Sequence, residues 1–202
     1  MITVYHLNES RSQRVLWLLE ELDLPYEIVR FERDATRRAP PELAEVHPLG
    51  KAPVIRDGEL LLAESGAIVE YLVERHGGGR LAPRPETDAH AAYLHWLHFA
   101  EGTAMLPLLF DLFLTIGLIP GGKEGALGDF VKQEVARQLD YVDAELGDRE
   151  HLLGAFTAAD VMMGFPLELA DRQGHLAEHP RLRAYVERLR ARSAFARAAA
   201  AA

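Results

Sequence analysis

The fold is decided by residues 50–68, which read GKAPVIRDGELLLAESGAI. Two short apolar runs, 53–55 and 60–62, flank an Asp-Gly pair at positions 57–58. This pair between apolar runs is a strong signal for a β-hairpin, because glycine adopts the positive φ that a tight turn needs. Ser65 then opens a helical pattern, where its hydroxyl can cap free backbone N–H groups. The stretch therefore predicts two antiparallel strands followed by a helix.

The chain before this stretch predicts a βαβ unit. Residues 2–5 are a short β-prone run, and residues 14–22 place apolar side chains at helical spacing. A second strand-like run, 26–31, follows Pro25, and the intervening helix is long enough to make the two strands parallel. The first half of the chain therefore has the order βαβ, a charged connection, then ββα.

A domain boundary is predicted at residues 77–85, which read GGGRLAPRP and combine flexible with helix-breaking residues. Beyond it no strand pattern is convincing. Helical periodicity starts near four residues: Asp88, Lys123, Ala158 and Pro180. We therefore expect an α/β domain over residues 1–78 and an all-helical domain over residues 86–197, and we assign no role to the tail 198–202.

Bulk composition excludes several classes of function. The chain has no cysteine, so disulfides, thiolate zinc sites and Cys-x-x-Cys redox centres are impossible. Lys and Arg number 22 against 31 Asp and Glu, a net charge of -9 that works against nucleic-acid binding. The start lacks a basic and then apolar leader, and no apolar run approaches the roughly 18 residues that span a bilayer. We expect no membrane segment and a cytoplasmic location.

The order βαβ–ββα, with Pro53 opening the third strand and Glu64-Ser65 at a helix start, resembles the glutathione-binding half of cytosolic glutathione transferases. The helical second half extends the resemblance over nearly all of the chain. The resemblance implies a thioredoxin-like N-terminal domain followed by a helical-bundle C-terminal domain. It also implies a homodimeric, bacterial, serine-type detoxification enzyme with glutathione as co-substrate.

The residue types of this stretch suit a γ-glutamyl tripeptide. A cis peptide bond before Pro53 would turn Ala52 outward to pair with an extended peptide. Ser65, at a helix N-terminus, suits the γ-glutamyl carboxylate, while Glu64 suits the ammonium group and Lys51 the glycyl carboxylate. Their ordinary alternatives are a helix cap, a first-turn acid and a solvated charge. The predicted glutathione-binding set is His47, Lys51, Ala52, Pro53, Glu64 and Ser65.

The loop at residues 7–14, LNESRSQR, is expected to deliver the group that activates the thiol. Ser10 lies four residues before Arg14, the spacing that the resemblance gives for the catalytic hydroxyl of serine-type members. Ser12 is the first alternative. Tyr5 is the second, because other branches of the family use a tyrosine at the end of the first strand. Further donors in the loop are Asn8 and Arg11.

In the second half, the resemblance places the electrophile pocket and the dimer contact on the first helix. Candidate pocket residues are Tyr93, His98, Met105 and Phe110, with core packing as their alternative. The spacing of three between His95, His98 and Glu101 does not predict a metal site, since such steps drift around a helix and no fourth ligand is evident. Residues 157–160, TAAD, have the form of an N-capping box and are expected to be structural.

The predicted function is conjugation of glutathione to a small hydrophobic electrophile, with reduction of organic hydroperoxides as a second use of the same thiolate. One alternative is a glutathione-dependent isomerase or dehalogenase acting on a specific metabolite. Another is a non-catalytic assembly or regulatory module with the same fold, against which the intact set of Lys51, Glu64 and Ser65 argues.

Overall fold

The first half of the chain forms a mixed four-stranded sheet with the strand order β2-β1-β3-β4. Strands β1 and β2 are parallel, whereas β3 is antiparallel to both β1 and β4. The predicted βαβ–ββα order is confirmed, and a short additional helix lies in the charged connection. The elements are β1 Ile2–Leu7, α1 Ser12–Glu21, β2 Tyr26–Phe31, α2 Glu42–Val46, β3 Val54–Asp57, β4 Leu60–Ala63 and α3 Ser65–His76.

The pleat of β1 explains which of its side chains reach the interior. Side chains alternate between the two faces of a strand. Ile2, Val4 and His6 are buried, whereas Thr3 and Tyr5 on the other face are partly exposed. Helix α1 packs on β1 and α3, and its residues Val15 to Leu19 are all buried. The α1 helix is therefore an interior element of this half rather than an amphipathic surface helix.

The second half is helical, as predicted. Its elements are α4 Asp88–Phe99, a π-helical turn Ala100–Ala104, α5 Met105–Thr115, α6 Ala126–Leu146, α7 Ala158–Arg172 and α8 Pro180–Arg190. Helix α9, Ser193–Ala201, follows. The predicted capping box of α7 is confirmed, because the Thr157 N–H donates to Asp160 Oδ2 at 2.8 Å.

This computed structural model describes all 202 residues, and they divide into two units, Met1–Ala82 with Arg190–Ala202, and Pro83–Leu189. The end of the chain thus belongs to the first unit, whereas the domain limits predicted from the sequence placed residues up to 197 in the helical domain. In the first unit α9 packs on α1, with the rings of Phe195 and Trp17 edge to face at 5.0 Å. Ala198 is fully buried, so the tail is an ordered part of that unit.

One helical stretch contradicts the expectation about apolar length. Residues Asp88–Thr115 run continuously through 28 residues, with a mean hydropathy of 1.3 in the most apolar window, which is long and apolar enough to cross a bilayer. The sequence expectation was wrong because polar residues interrupt the run, whereas its many leucine and phenylalanine side chains keep the mean hydropathy high. Trp96, Leu97 and Met105 of this stretch are buried inside the second unit. Packing in that unit accounts for part of its hydropathy, since 44% of the most apolar window is buried.

Candidate functional site

A chain of buried polar groups lies where β1 ends and α1 begins. The Oγ atoms of Ser10 and Ser12 are 2.7 Å apart, and Ser12 Oγ is 2.9 Å from His6 Nδ1. Backbone groups complete the cluster, since the Ser12 N–H donates to Ser10 Oγ at 3.2 Å and the Leu7 N–H donates to Ser12 Oγ at 3.3 Å. The structure therefore brings two of the three predicted thiol-activating candidates into one hydrogen-bonded cluster.

Exposure separates the two serines. Ser12 has an exposed fraction of 0%, whereas Ser10 keeps 6%. A hydroxyl that donates to a substrate must reach the surface of its site, and Ser12 is enclosed by His6, Leu7 and Ser10. The geometry therefore favours Ser10 as the outer hydroxyl and Ser12 as its inner support.

His6 is the interior end of this cluster, with an exposed fraction of 3%. Burial lowers the pKa of its imidazole, and the positive charge of Arg30 lowers that pKa further, while Glu32 acts in the opposite direction. An imidazole with a lowered pKa is neutral at pH 7. It presents one N–H donor and one nitrogen acceptor.

Tyr5 lies apart from this cluster. It follows Val4 on β1 and precedes His6, so its side chain leaves the opposite face of the sheet. Its hydroxyl accepts a hydrogen bond from Arg56 Nε at 3.3 Å. Tyr5 is therefore not brought together with Ser10 and Ser12.

The predicted anion site lies at the first residue of α3. Ser65 Oγ accepts a hydrogen bond from Arg14 Nη1 at 3.1 Å, and the exposed fractions of Ser65 and Arg14 are 4% and 1%. Glu64, which precedes the helix, is exposed and has a φ of 71°, a left-handed conformation that is uncommon outside glycine. Arg14 thus joins the start of α1 to the start of α3 and puts positive charge beside the hydroxyl of Ser65.

The Ala52–Pro53 peptide bond is cis, the geometry on which the predicted role of Ala52 depends. Ala52 precedes β3 and makes no backbone hydrogen bond within the chain. Lys51 is exposed beside it. His47 ends α2 and is half-buried, with its Nδ1 accepting from the Leu49 N–H at 3.4 Å. Ala52 therefore offers both an N–H and a C=O to an extended peptide.

Comparison with known proteins decides the family. The model of the N-terminal domain of glutathione S-transferases matches residues 1–74, and that of the C-terminal domain matches residues 124–188. Glutathione S-transferase 3 of Schizosaccharomyces pombe is 35% identical over 192 residues, which cover 89% of this chain and 78% of that protein. The chain belongs to the glutathione S-transferase family. Members of this family are enzymes, so the chain is one too.

Solved structures of the family agree with this fold. A glutathione S-transferase of Actinobacillus pleuropneumoniae is 33% identical with a TM-score of 0.88, and 98% of this chain and 91% of that chain are covered. A family member from Pseudomonas fluorescens, solved with two glutathione bound, is 28% identical with a TM-score of 0.85 at the same coverage. Similar proteins come from a yeast as well as from bacteria, so a bacterial source and the serine-type class stay predictions.

The four electrophile-pocket candidates of this glutathione S-transferase differ in exposure. Tyr93 and Met105 are each only 1% exposed and belong to the core of the helical unit. His98 is exposed and Phe110 is half-buried. An apolar depression in the same unit is lined by other residues, among them Leu108, Leu139 and Met163. The burial of Tyr93 and Met105 favours their alternative reading as core residues.

The histidine spacing on α4 has a different use in this glutathione S-transferase. His95 Nε2 lies 3.0 Å from the hydroxyl of Tyr141 on α6, and its ring packs near those of Trp96 and Phe99. No group of three or more His, Cys, Asp or Glu side chains in the 202 residues is arranged to hold a metal ion. His95 belongs to an aromatic cluster of the helical unit.

Two residues of the candidate site, His6 and Arg14, were not predicted from the sequence. Arg14 had a signal, because it is a charged residue directly before the apolar run Val15 to Leu19. The signal for His6 was weaker: it is an ionisable residue at a strand position whose side chain points to the interior. Neither signal names a partner, since Ser65 is 51 positions from Arg14.

Proposed function

We propose that this glutathione S-transferase stabilises bound glutathione as its thiolate and transfers it to the electrophilic carbon of a small hydrophobic molecule. The observation that carries the proposal is the Ser10 hydroxyl, held at the start of α1 by Ser12 Oγ at 2.7 Å and by the Ser12 N–H at 3.2 Å. Both contacts fix the oxygen of Ser10. A fixed donor at a helix N-terminus suits an anionic sulfur.

The tripeptide would be held by the groups around it. Ala52 would pair with its backbone, and Ser65 would donate its hydroxyl proton to the γ-glutamyl carboxylate, because Arg14 already fills one of the acceptor positions of Ser65. Glu64 would take the ammonium group and Lys51 the glycyl carboxylate, with His47 near the glycyl end. The charge of Arg14 beside Ser65 supports a carboxylate at this point.

One hydroxyl is enough for the activation. A free thiol has a pKa of about 8.5, and lowering it by about two units requires about 2.7 kcal/mol. A hydrogen bond to a charged acceptor contributes about 1.5–3 kcal/mol, and the N-terminus of α1 adds about 0.3–1 kcal/mol. Ser10 therefore acts by stabilising the thiolate and does not need to remove its proton as a base.

The transfer itself follows from the chemistry of the thiolate. Its sulfur attacks the electrophilic carbon, a carbon–sulfur bond forms, and the leaving group departs with the bonding electron pair. The thiol proton has already been released to solvent. We also infer from the resemblance that the enzyme works as a cytoplasmic homodimer in detoxification.

The proposal is tested by assaying the purified enzyme with glutathione and 1-chloro-2,4-dinitrobenzene, with retention on glutathione resin as the binding measurement. We expect retention and conjugation, and we expect Lys51→Ala to raise the glutathione KM with little change in kcat. Parallel assays with an organic hydroperoxide and with isomerisable substrates compare the other glutathione-dependent reactions. No binding at millimolar glutathione would overturn the proposal.

A further inference from the structure

The buried cluster at the start of α1 has more hydrogen-bonding contacts than protons to fill them. Ser12 Oγ lies within hydrogen-bonding distance of four groups: Ser10 Oγ at 2.7 Å, His6 Nδ1 at 2.9 Å, Leu7 O at 3.2 Å and the Leu7 N–H at 3.3 Å. A serine hydroxyl has one proton and two acceptor positions. Which contacts are donated and which accepted is therefore set by the neighbours of Ser12.

The state of His6 decides this pattern. If Nδ1 carries the imidazole proton, it donates to Ser12 Oγ, and together with the Leu7 N–H it fills both acceptor positions of that oxygen. Ser10 then cannot donate to Ser12. Two hydroxyl oxygens 2.7 Å apart need a proton between them. We therefore infer that the proton of Ser12 points toward Ser10 rather than toward Leu7 O at 3.2 Å.

The same count then fixes Ser10. Its oxygen accepts from the Ser12 hydroxyl at 2.7 Å and from the Ser12 N–H at 3.2 Å, so both of its acceptor positions are filled. Its own proton is left to point out of the cluster. If Nδ1 is unprotonated instead, Ser12 can donate to His6, and Ser10 can turn its proton inward to Ser12.

We propose that His6 is a positioning residue whose Nδ1–H, donated to Ser12 Oγ, directs the hydroxyl proton of Ser10 outward to the glutathione sulfur. This inference rests on the proposed role of Ser10. His6 does not touch the substrate, because its exposed fraction is 3% and Ser12 lies between it and Ser10. It acts through the two serines, and hydrogen bonds aligned in one direction strengthen each other.

The test compares two substitutions of His6 that differ in one N–H donor. His6→Asn keeps a side-chain N–H near the position of Nδ1, whereas His6→Phe keeps an apolar ring without a donor. The readout is the ultraviolet absorbance of the bound thiolate against pH, together with glutathione affinity and the kcat and KM of conjugation. A purely structural role of His6 would not produce a pKa change in the bound thiol that the asparagine reverses.

We expect His6→Phe to raise the pKa of the bound thiol and to lower kcat at neutral pH by roughly five- to tenfold, the value of about one hydrogen bond. Glutathione affinity should stay within about twofold of the parent, since one side-chain donor outside the binding contacts is lost. His6→Asn should restore most of the loss. A thiol titration in His6→Phe that matches the parent would overturn the inference.

A second measurement is made on the parent enzyme itself and needs only His6→Asn for assignment. Nitrogen NMR of the parent enzyme labelled at histidine, with His6 assigned by its absence in His6→Asn, reports which ring nitrogen carries the proton. We expect a proton on Nδ1, and a proton on Nε2 alone would overturn the inference. If the parent enzyme has no bound thiolate and no conjugation, the proposed function itself fails. If the parent enzyme has a bound thiolate and conjugates glutathione, and His6→Phe behaves in the same way, only the proposed role of His6 is rejected.

Discussion

At the scale of single residues, His6 carries an imidazole that is ionisable and yet buried. Burial and the charge of Arg30 lower its pKa in the folded chain, and Glu32 offsets this in part. In the unfolded chain a histidine has a pKa of about 6.5. The unfolded chain therefore binds more protons at mildly acidic pH, and protonation favours unfolding.

We expect the free energy of unfolding to fall as the pH drops below about 6.5, with part of that slope due to His6. Well above that pH both states hold a neutral imidazole and His6 contributes no slope. Urea unfolding at several pH values between neutral and mildly acidic conditions measures this. In His6→Asn that part of the slope should disappear, and an unchanged slope would show that His6 titrates alike in both states.

At the scale of elements, α7 is held by one buried carboxylate. Asp160 accepts from the Thr157 N–H at 2.8 Å, from the Leu152 N–H at 3.1 Å and from the Tyr185 hydroxyl at 2.6 Å. Burial raises the pKa of Tyr185 well above its usual value, and the charge of Asp160 adds to this, so the phenol stays a donor. Asp160 of the capping box thus also binds Leu152 and Tyr185, which lie outside α7.

Removing either side chain of the box should destabilise the fold by different amounts. Thr157→Ala is expected to cost about 0.5–2 kcal/mol, the value of a helix cap. Asp160→Ala leaves four donors without their acceptor, the three above and the Thr157 hydroxyl, and should cost roughly 3 kcal/mol or more. Urea unfolding of both variants gives the comparison. Equal costs would show that the contacts with Leu152 and Tyr185 contribute nothing.

Helix α9 is the second element whose role can be measured. Arg192, just before it, donates two hydrogen bonds to Glu21 at 2.6 and 2.9 Å, and Phe195 packs its ring against Trp17. Ala194 and Ala198 are buried with them. Through these contacts α9 covers α1, the helix that begins at the candidate site.

Truncation before Ser193 should lower the unfolding free energy by roughly 2 kcal/mol or more, because it exposes apolar surface of α1. Truncation after Ala198 keeps Phe195 and both buried alanines and serves as the matched control, with a small expected effect. Calorimetry or urea unfolding distinguishes them. Equal stabilities of the two truncated chains would contradict a structural role for α9.

At the scale of the whole molecule, local patterns predicted the fold well. The hairpin around residues 57–58, the parallel β1 and β2, and the start of α3 at Ser65 follow from turn chemistry and periodicity, which act over a few residues. Helix α2 was missed because it has only five residues, too few for a helical period to show. The place of α9 was missed because it packs on α1 through residues far apart in the chain, such as Arg197 and Glu20, and no local pattern reports such contacts.

The candidate site could be predicted only in part, because local patterns show where a motif lies but not what packs against it. Ser10, Ser12 and Ser65 were named from short motifs, and those motifs do lie at the starts of α1 and α3. The links to His6 and Arg14 depend on how strand and helices pack, which no local pattern reports. The membrane-length stretch at Asp88–Thr115 was missed because its hydropathy is an average over 18 or more residues.

The absence of cysteine from all 202 residues gives a prediction about the whole enzyme. Any thiol in the reaction must belong to glutathione. Pretreatment with a thiol-alkylating reagent, followed by its removal, should leave conjugation activity unchanged. A cysteine-dependent enzyme treated alongside supplies the positive control. Loss of activity would point to alkylation of another side chain needed by the enzyme.

The central claim is that the hydroxyl of Ser10 stabilises the glutathione thiolate, and titration of the bound thiol by its ultraviolet absorbance tests it most directly. In the parent enzyme the thiol pKa should lie well below the free value of about 8.5. Ser10→Ala should raise it by about one to two units, the value of one hydrogen bond to a charged acceptor, while glutathione still binds. A bound thiol that titrates at the same pH in both proteins would contradict the account.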